Sequence, residues 1–275
     1  MTHSRPAIRQ LLDGASLAPR RDLGQNFVAD PNTVRRIADL ARVDAESHVV
    51  EIGAGLGSLT LALAESGAEV TAIEVDRGVV PVLRRVLADQ PNVRVVEGDA
   101  MQLDWFDLLS DHDDWVLVAN LPYNVATPLI CDLLDTVPAI DRMLVMVQRE
   151  AAERFTAVPR TPEYGAVSVK AAYWGRAKIV GHVPASVFVP RPNVESALVE
   201  ITRRTPPATD PVALFALVRA GFGQRRKMLR RSLAGVVAPE TYEAAAVSPT
   251  SRPEELDVDD WCRLTDAHRA VSATE

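Results

Sequence analysis

Asn120-Leu121-Pro122-Tyr123 is the stretch of the chain whose residue types most clearly suit a reaction. The Asn120 side-chain oxygen and the Leu121 backbone oxygen can each accept one hydrogen of a primary amine, while Pro122 fixes the chain and has no N–H to compete. Two such acceptors suit an amine whose lone pair is delocalised into an aromatic ring, as in adenine, because they draw that lone pair out toward an electrophile. Tyr123 can then stack on the ring, a contact worth ~1 to 3 kcal/mol at nucleic-acid sites. Alone, the tetrapeptide also fits a β-turn with a buried tyrosine; what precedes it in the chain favours the chemical role.

Upstream, the strand-like VVEIG runs into Gly53-Ala54-Gly55-Leu56-Gly57 and then into the helical SLTLALAESG. Glycines at a strand-to-helix turn let backbone approach a ligand closely, a feature shared by dinucleotide enzymes and methyltransferases. Glu74 ends the next strand, where a carboxylate can accept both ribose hydroxyls of a nucleoside. The glycines read G-x-G-x-G rather than G-x-G-x-x-G, and Gly98-Asp99-Ala100 sets a second acid where an adenine amino group can donate to it. Asp99 is also well placed to cap the following helix. A nicotinamide dehydrogenase fits poorly, since Asn-Leu-Pro-Tyr has no part in hydride transfer. The combination favours methyl transfer from S-adenosylmethionine to an adenine amine, a displacement that requires no metal.

These residues need a frame. HVVEIG (48–53), AEVTAIEV (68–75), NVRVVEG (92–98), WVLVAN (115–120) and RMLVMVQ (142–148) are short apolar runs separated by helical stretches. That rhythm predicts an α/β fold with a parallel sheet covered on both faces, and ligands at the carboxyl ends of its strands. AVSVKAAYW (166–174) and ALVEITRR (197–204) are expected as two further strands, a hairpin edge joined by the loop VPASVFVPRPNVES (183–196). After Thr205-Pro206-Pro207 the character turns helical, with PVALFALVRAGF (211–222) and GQRRKMLRRSLAG (223–235). The expected division is therefore a domain over 1–205 and a helical, RNA-binding one over 206–275.

The composition, 47% apolar and 24% charged, is that of a globular chain. Cys131 and Cys262 lack the paired spacing of zinc ligands. No apolar run reaches the ~18 to 20 residues of a membrane span, and the amino terminus lacks a signal-peptide core, so a cytoplasmic protein without membrane contact is expected. The net charge of -7 is uneven: residues 1–140 carry 11 Lys+Arg against 21 Asp+Glu, residues 141–235 carry 16 against 7, and residues 236–275 carry 3 against 9. A basic middle third suits a phosphate-bearing partner. Arg225, Arg226, Lys227, Arg230 and Arg231, expected on two helical turns, are its densest part and the expected RNA contacts.

The sequence resembles the ribosomal RNA adenine N6,N6-dimethyltransferases, and among them the small-subunit (KsgA/RsmA) branch. The likeness rests on Leu23-Gly24-Gln25-Asn26-Phe27, EIGAGLGSLT from Glu51, Glu74, Gly98-Asp99-Ala100, Asn120-Leu121-Pro122-Tyr123-Asn124, Tyr164-Gly165, and Phe188-Val189-Pro190-Arg191-Pro192-Asn193-Val194-Glu195-Ser196. It implies a Rossmann-like S-adenosylmethionine methyltransferase sheet with a small C-terminal α-helical domain. Asn26, Val28, Gly53, Gly55, Glu74, Asp99 and Asn120 would contact S-adenosylmethionine, and Tyr123 and Phe188 would grip the target adenine beside Asn120, Leu121 and Pro122. The implied substrate is a pair of adjacent adenosines in the 3'-terminal hairpin of 16S rRNA, within an immature small ribosomal subunit, met by a monomer. Val28 departs from the family's usual leucine, and the acidic tail departs from a uniformly basic clamp. Large-subunit adenine methyltransferases of the macrolide-resistance (Erm) type share the cofactor motifs but more often read Asn-Ile-Pro-Tyr. A role chiefly as an RNA-binding assembly checkpoint is the alternative outside enzymology.

Overall fold

In the computed structural model, which describes residues 2–272, all five apolar runs of the first half are strands. The strands in chain order are β1 (Phe27–Val28), β2 (His48–Ile52), β3 (Glu69–Glu74), β4 (Val93–Glu97), β5 (Trp115–Asn120), β6 (Ile140–Gln148), β7 (Gly175–Val183), β8 (Phe188–Val189) and β9 (Ser196–Arg203). Seven of them form one sheet in the order β4-β3-β2-β5-β6-β9-β7. From β4 to β6 all neighbours are parallel, and β9 runs antiparallel to β6. Val49, Val50, Ile52, Val70, Ala72, Ile73 and the run Val116 to Ala119 are buried, as a sheet covered on both faces requires.

The order reverses between β2 and β5, and this sets the site. Strands fed from opposite directions leave a crevice past their carboxyl ends, and Ile52 of β2 lies in register with Ala119 of β5. The glycine turn and Asn120 therefore leave adjacent strands side by side. The Pro31–Ala41 helix is started by Asp30, whose carboxylate accepts the Thr33 N–H at 3.0 Å, with Pro31 at the first helical position. It packs with the Ser58–Ala64 helix into a core that includes Val49, Val70, Val116 and Val118. A separate two-stranded ribbon pairs β1 with β8 antiparallel, Phe27 opposite Val189 and Val28 opposite Phe188.

Two expectations are corrected. Residues 166–174 form a helix, not a strand. The valines at 167 and 169 suggest β structure, but the Ser168 hydroxyl accepts the Gly165 N–H at 3.0 Å and opens a helix. Val169 and Tyr173, four residues apart on one helical face, are both buried. The sheet edge is still built by two strands around the 184–195 loop, but its first arm is β7.

The boundary moves for the same reason. The chain forms two compact units, Met1–Ala152 with Lys178–Thr202, and Glu153–Ala177 with Arg203–Glu275. Residues 153–177 thus belong with the C-terminal helices rather than with the sheet. Tyr164, Val169 and Tyr173 share a core with Leu214, Phe215, Val218 and Trp261, and the Tyr164 and Tyr173 hydroxyls donate to the carbonyls of Leu256 and Thr209, both at 2.7 Å. Among the described residues, no helix is long and apolar enough to cross a membrane.

Candidate active site

A pocket in the first unit is lined by the Leu23–Val28 segment, the glycine turn, Glu51, Glu74 and Asn120 to Tyr123. Segments almost 100 residues apart in sequence thus meet at the carboxyl ends of β2, β3 and β5. Gly53 and Gly55 take left-handed φ values of 76° and 57°, which only glycine adopts without strain. A Cβ on Gly55 would come within 3.0 Å of the Phe27 ring, so the turn is both strained for other residues and closely covered.

Asn120 ends β5 with its amide oriented. Its Nδ2 donates to the Asn26 backbone carbonyl at 3.0 Å, so the acceptor end, Oδ1, is the one left for a ligand. Asn26 in turn donates its own Nδ2 to the Gly24 carbonyl at 3.0 Å. Leu121 is held by its N–H to the Met146 carbonyl at 3.2 Å. The Pro122 carbonyl accepts from Val125 and Ala126, starting the Tyr123–Thr136 helix. Tyr123 shares a hydrogen with the Ser196 hydroxyl at 2.7 Å, and burial pushes its phenol up.

Glu74 is buried, and its two oxygens accept the Gly55 and Asp76 N–H groups, each at 2.8 Å. Burial pushes its carboxyl up, and the two N–H groups pull it back. A buried carboxylate with one donor per oxygen still has lone pairs to offer, which fits a ligand that brings paired hydroxyls. Glu51, 2% exposed, lines the same pocket with an Oε2 that has no hydrogen-bond partner in the protein. Burial, with the charge of Glu74 adding to it, pushes the Glu51 carboxyl up to about 8. The donors and acceptors present therefore fit a nucleoside-bearing cofactor.

Not every expected site residue arrives there. Phe188 is 0% exposed, packs in the sheet core with Val28 and Val34, and lies outside the pocket lining. The pairing of β8 with β1 draws it inward. Asp99 lies outside the pocket lining, and its two oxygens accept the Met101 N–H and the Gln102 side-chain amide, each at 3.0 Å. Val28 lines the pocket from β1.

Three residues that sequence reasoning passed over contribute to the site's construction. Gln25 donates to the Asp76 carboxylate at 2.7 Å, tying the Leu23–Asn26 segment to the loop after β3. Ser196 fixes Tyr123, and Glu51 is buried in the pocket wall. Gln25, Glu51 and Ser196 all stand inside the quoted motifs, but spacing alone does not reveal their partners.

In the second unit the basic segment is not the expected continuous helix. Residues 223–227 form turns between the Pro211–Phe222 helix and a four-residue helix at Leu229–Ser232. Leu229 and Leu233 are buried and fix this shape. Arg226, Lys227, Arg230 and Arg231 are exposed. Arg225 is instead an internal strut, its Nε donating to Glu254 at 2.6 Å and its guanidinium to the Thr161 carbonyl at 3.2 Å.

Comparison with known proteins bears on the family and the fold. The family model described as ribosomal RNA adenine dimethylase matches residues 17–269. Ribosomal RNA small subunit methyltransferase A of Acidothermus cellulolyticus is 46% identical over 272 residues, covering 94% of this chain and 92% of the relative. Its counterpart in Bifidobacterium adolescentis is 43% identical, covering 97% and 94%. Among solved structures, a dimethyladenosine transferase from Plasmodium falciparum superposes with a TM-score of 0.76 at 24% identity, covering 86% of this chain and 94% of that one. The 23S rRNA methyltransferase ErmE gives 0.66 at 26% identity, with 88% and 99% covered.

Proposed function

From its membership of the ribosomal RNA adenine dimethylase family, to which the chain belongs, we propose that it dimethylates the N6 amines of two adjacent adenosines in the 3'-terminal hairpin of 16S rRNA. It is an rRNA adenine dimethyltransferase. Relatives at 43–46% identity carry the small-subunit name, against 26% for the large-subunit enzyme ErmE, which favours the small-subunit substrate. The particle it meets is an immature small subunit, and the enzyme acts on it as a cytoplasmic monomer.

The observation that carries the mechanism is the bond from Asn120 Nδ2 to the Asn26 carbonyl. It fixes the amide so that Oδ1 accepts one N6 hydrogen, while the Leu121 carbonyl accepts the other. The two acceptors turn the nitrogen lone pair out of the ring and stabilise the positive charge that grows on it. Pro122 keeps this geometry rigid, and Tyr123, held by Ser196, presents its ring to the base.

S-adenosylmethionine, when bound, supplies a methyl group already activated on a sulfonium. Glu74 would accept its ribose hydroxyls, Gly53 and Gly55 would let backbone come close, and Asn26 and Val28, which line the same pocket, would contact it too. Each Asp99 oxygen keeps a lone pair for an adenine amino group. The residues align the amine with the methyl carbon, and this alignment is the main catalytic contribution.

The test is incubation with labelled S-adenosylmethionine and small subunits lacking the hairpin methyl groups, then nuclease digestion and mass analysis of nucleosides. Dimethyladenosine in that hairpin is the expected product. Dimethyladenosine on large-subunit RNA alone would transfer the assignment to the Erm type, and a product on neither would leave a binding role.

A further inference from the structure

We propose that His48, Glu69 and His112 bind a divalent cation of the zinc class at the amino-terminal edge of the sheet, away from the methyl-transfer pocket. His48 opens β2 and Glu69 opens β3, directly opposite each other in the parallel register. His112 comes from the turn that leads into β5. One ligand atom from each of the three lies within 4.8 Å of the other two. The five residues of β2 separate this cluster from the glycine turn, about 17 Å of extended chain.

The surroundings are those of a ligand set. The Nδ1 of His48 lies 3.3 Å from the Asp114 carboxylate. A carboxylate beside one ring nitrogen orients the ring and leaves the other nitrogen to face a metal. The His48 and His112 rings stack with centroids 3.3 Å apart and planes 12° from parallel. Neighbouring ligands on a tetrahedral ion with bonds of ~2.0 to 2.1 Å lie about 3.3 to 3.4 Å apart. The imidazole lone pairs lie in the planes of these nearly parallel rings, so the rings must splay for both to point at one ion and bring their ligand atoms to that spacing. Two imidazoles and a carboxylate select zinc, nickel or copper over magnesium or calcium. Glu69 is exposed, so an ion has an open route and solvent completes the coordination.

Trp115 gives the site a reporter. Its indole N–H donates to the His112 and Leu109 carbonyls at 3.1 and 3.2 Å, and its ring lies 5.8 Å from His48 and 6.0 Å from His112. Splaying the stacked rings changes its surroundings directly.

The full chain, freed of metal with a chelator, is titrated with zinc chloride by calorimetry and by tryptophan emission. One equivalent should bind, raise the unfolding temperature and change an emission signal that Trp115→Phe removes. Glu69→Gln and His112→Ala should each weaken binding at least tenfold. Asp114→Asn, at an exposed position that acts only through His48, should weaken it 10- to 100-fold. Methyl transfer should be unaffected in all three. Zinc binding by the Glu69→Gln/His112→Ala double variant equal to that of the wild type would overturn the proposal, as would no binding to the wild type or a preference for magnesium.

Discussion

The Asn120 amide gives its donor end to the Asn26 carbonyl and keeps its acceptor end for the proposed contact with the target amine. Asn120→Ala removes the acceptor without touching Glu74 or the glycine turn, so methyl incorporation should vanish while a cofactor titration still registers binding; wild-type turnover would refute the mechanism. Ser196 acts one step back. Ser196→Ala frees the Tyr123 hydroxyl and should cost about 1 kcal/mol, roughly fivefold in kcat/KM. Tyr123→Phe should cost about the same, and the double variant no more than either, because both remove one bond. Glu51 makes stability depend on pH. Its folded pKa of about 8 lies above the ordinary 4.5, so the native state holds a proton that the unfolded chain has released. The stabilisation is complete below pH 4.5 and is lost as pH rises through about 8. Thermal unfolding should show a loss of about 2 kcal/mol between pH 6 and pH 8. Glu51→Gln should flatten that slope. The residues proposed to meet the substrate are legible in sequence because their chemistry is unusual: an amide, a carbonyl and a ring in succession after a glycine turn. Gln25 and Ser196 are not, since a hydrogen bond to a residue dozens of positions away leaves no local trace.

Elements were legible where both faces are buried. The interiors of β2, β3, β5 and β6 are largely apolar, with Glu51 and Thr71 buried among them, and the turn signals between these runs complete the strand reading. β7 is harder to see, because Arg176, Lys178 and His182 alternate with its apolar residues as they do on a partly exposed edge strand. The helix at 166–174 has the valines of a strand and the packing of a helix, and its tertiary partners decide. Phe188 was assigned to the base by its motif, but the β1–β8 ribbon turns it into the core. That gives the ribbon a testable weight. Phe188→Ala should destabilise the first unit by about 3 to 5 kcal/mol in urea unfolding and weaken cofactor binding with it, since Val28, which lines the pocket, loses the ring in its core cluster. Unchanged stability would show that the ribbon is not part of the core.

The whole molecule is acidic, yet its charge divides between the units. The first carries 15 Lys+Arg against 25 Asp+Glu, and the second 15 against 12. Moving residues 153–177 and 203–205 into the second unit is what makes it positive, which suits the proposed RNA contact there. Arg226→Ala with Lys227→Ala should flatten the dependence of log affinity for RNA on log salt by about 1.4 to 1.8. Arg225→Ala should leave that slope unchanged and lower the unfolding temperature instead, because its partners are Glu254 and Thr161. The β1–β8 ribbon also bears on how the protein is made. Val28 and Phe188 are separated by 160 positions in the chain and meet as partners. At about 5 to 20 residues per second, a translating ribosome takes roughly 8 to 32 seconds to get from one to the other. Throughout that interval the nascent polypeptide has its glycine turn, Glu74 and soon Asn120, but no clasp for the segment that walls the pocket. The wall of the pocket therefore gains its strand partner only late in synthesis, and a chain released before residue 188 lacks it.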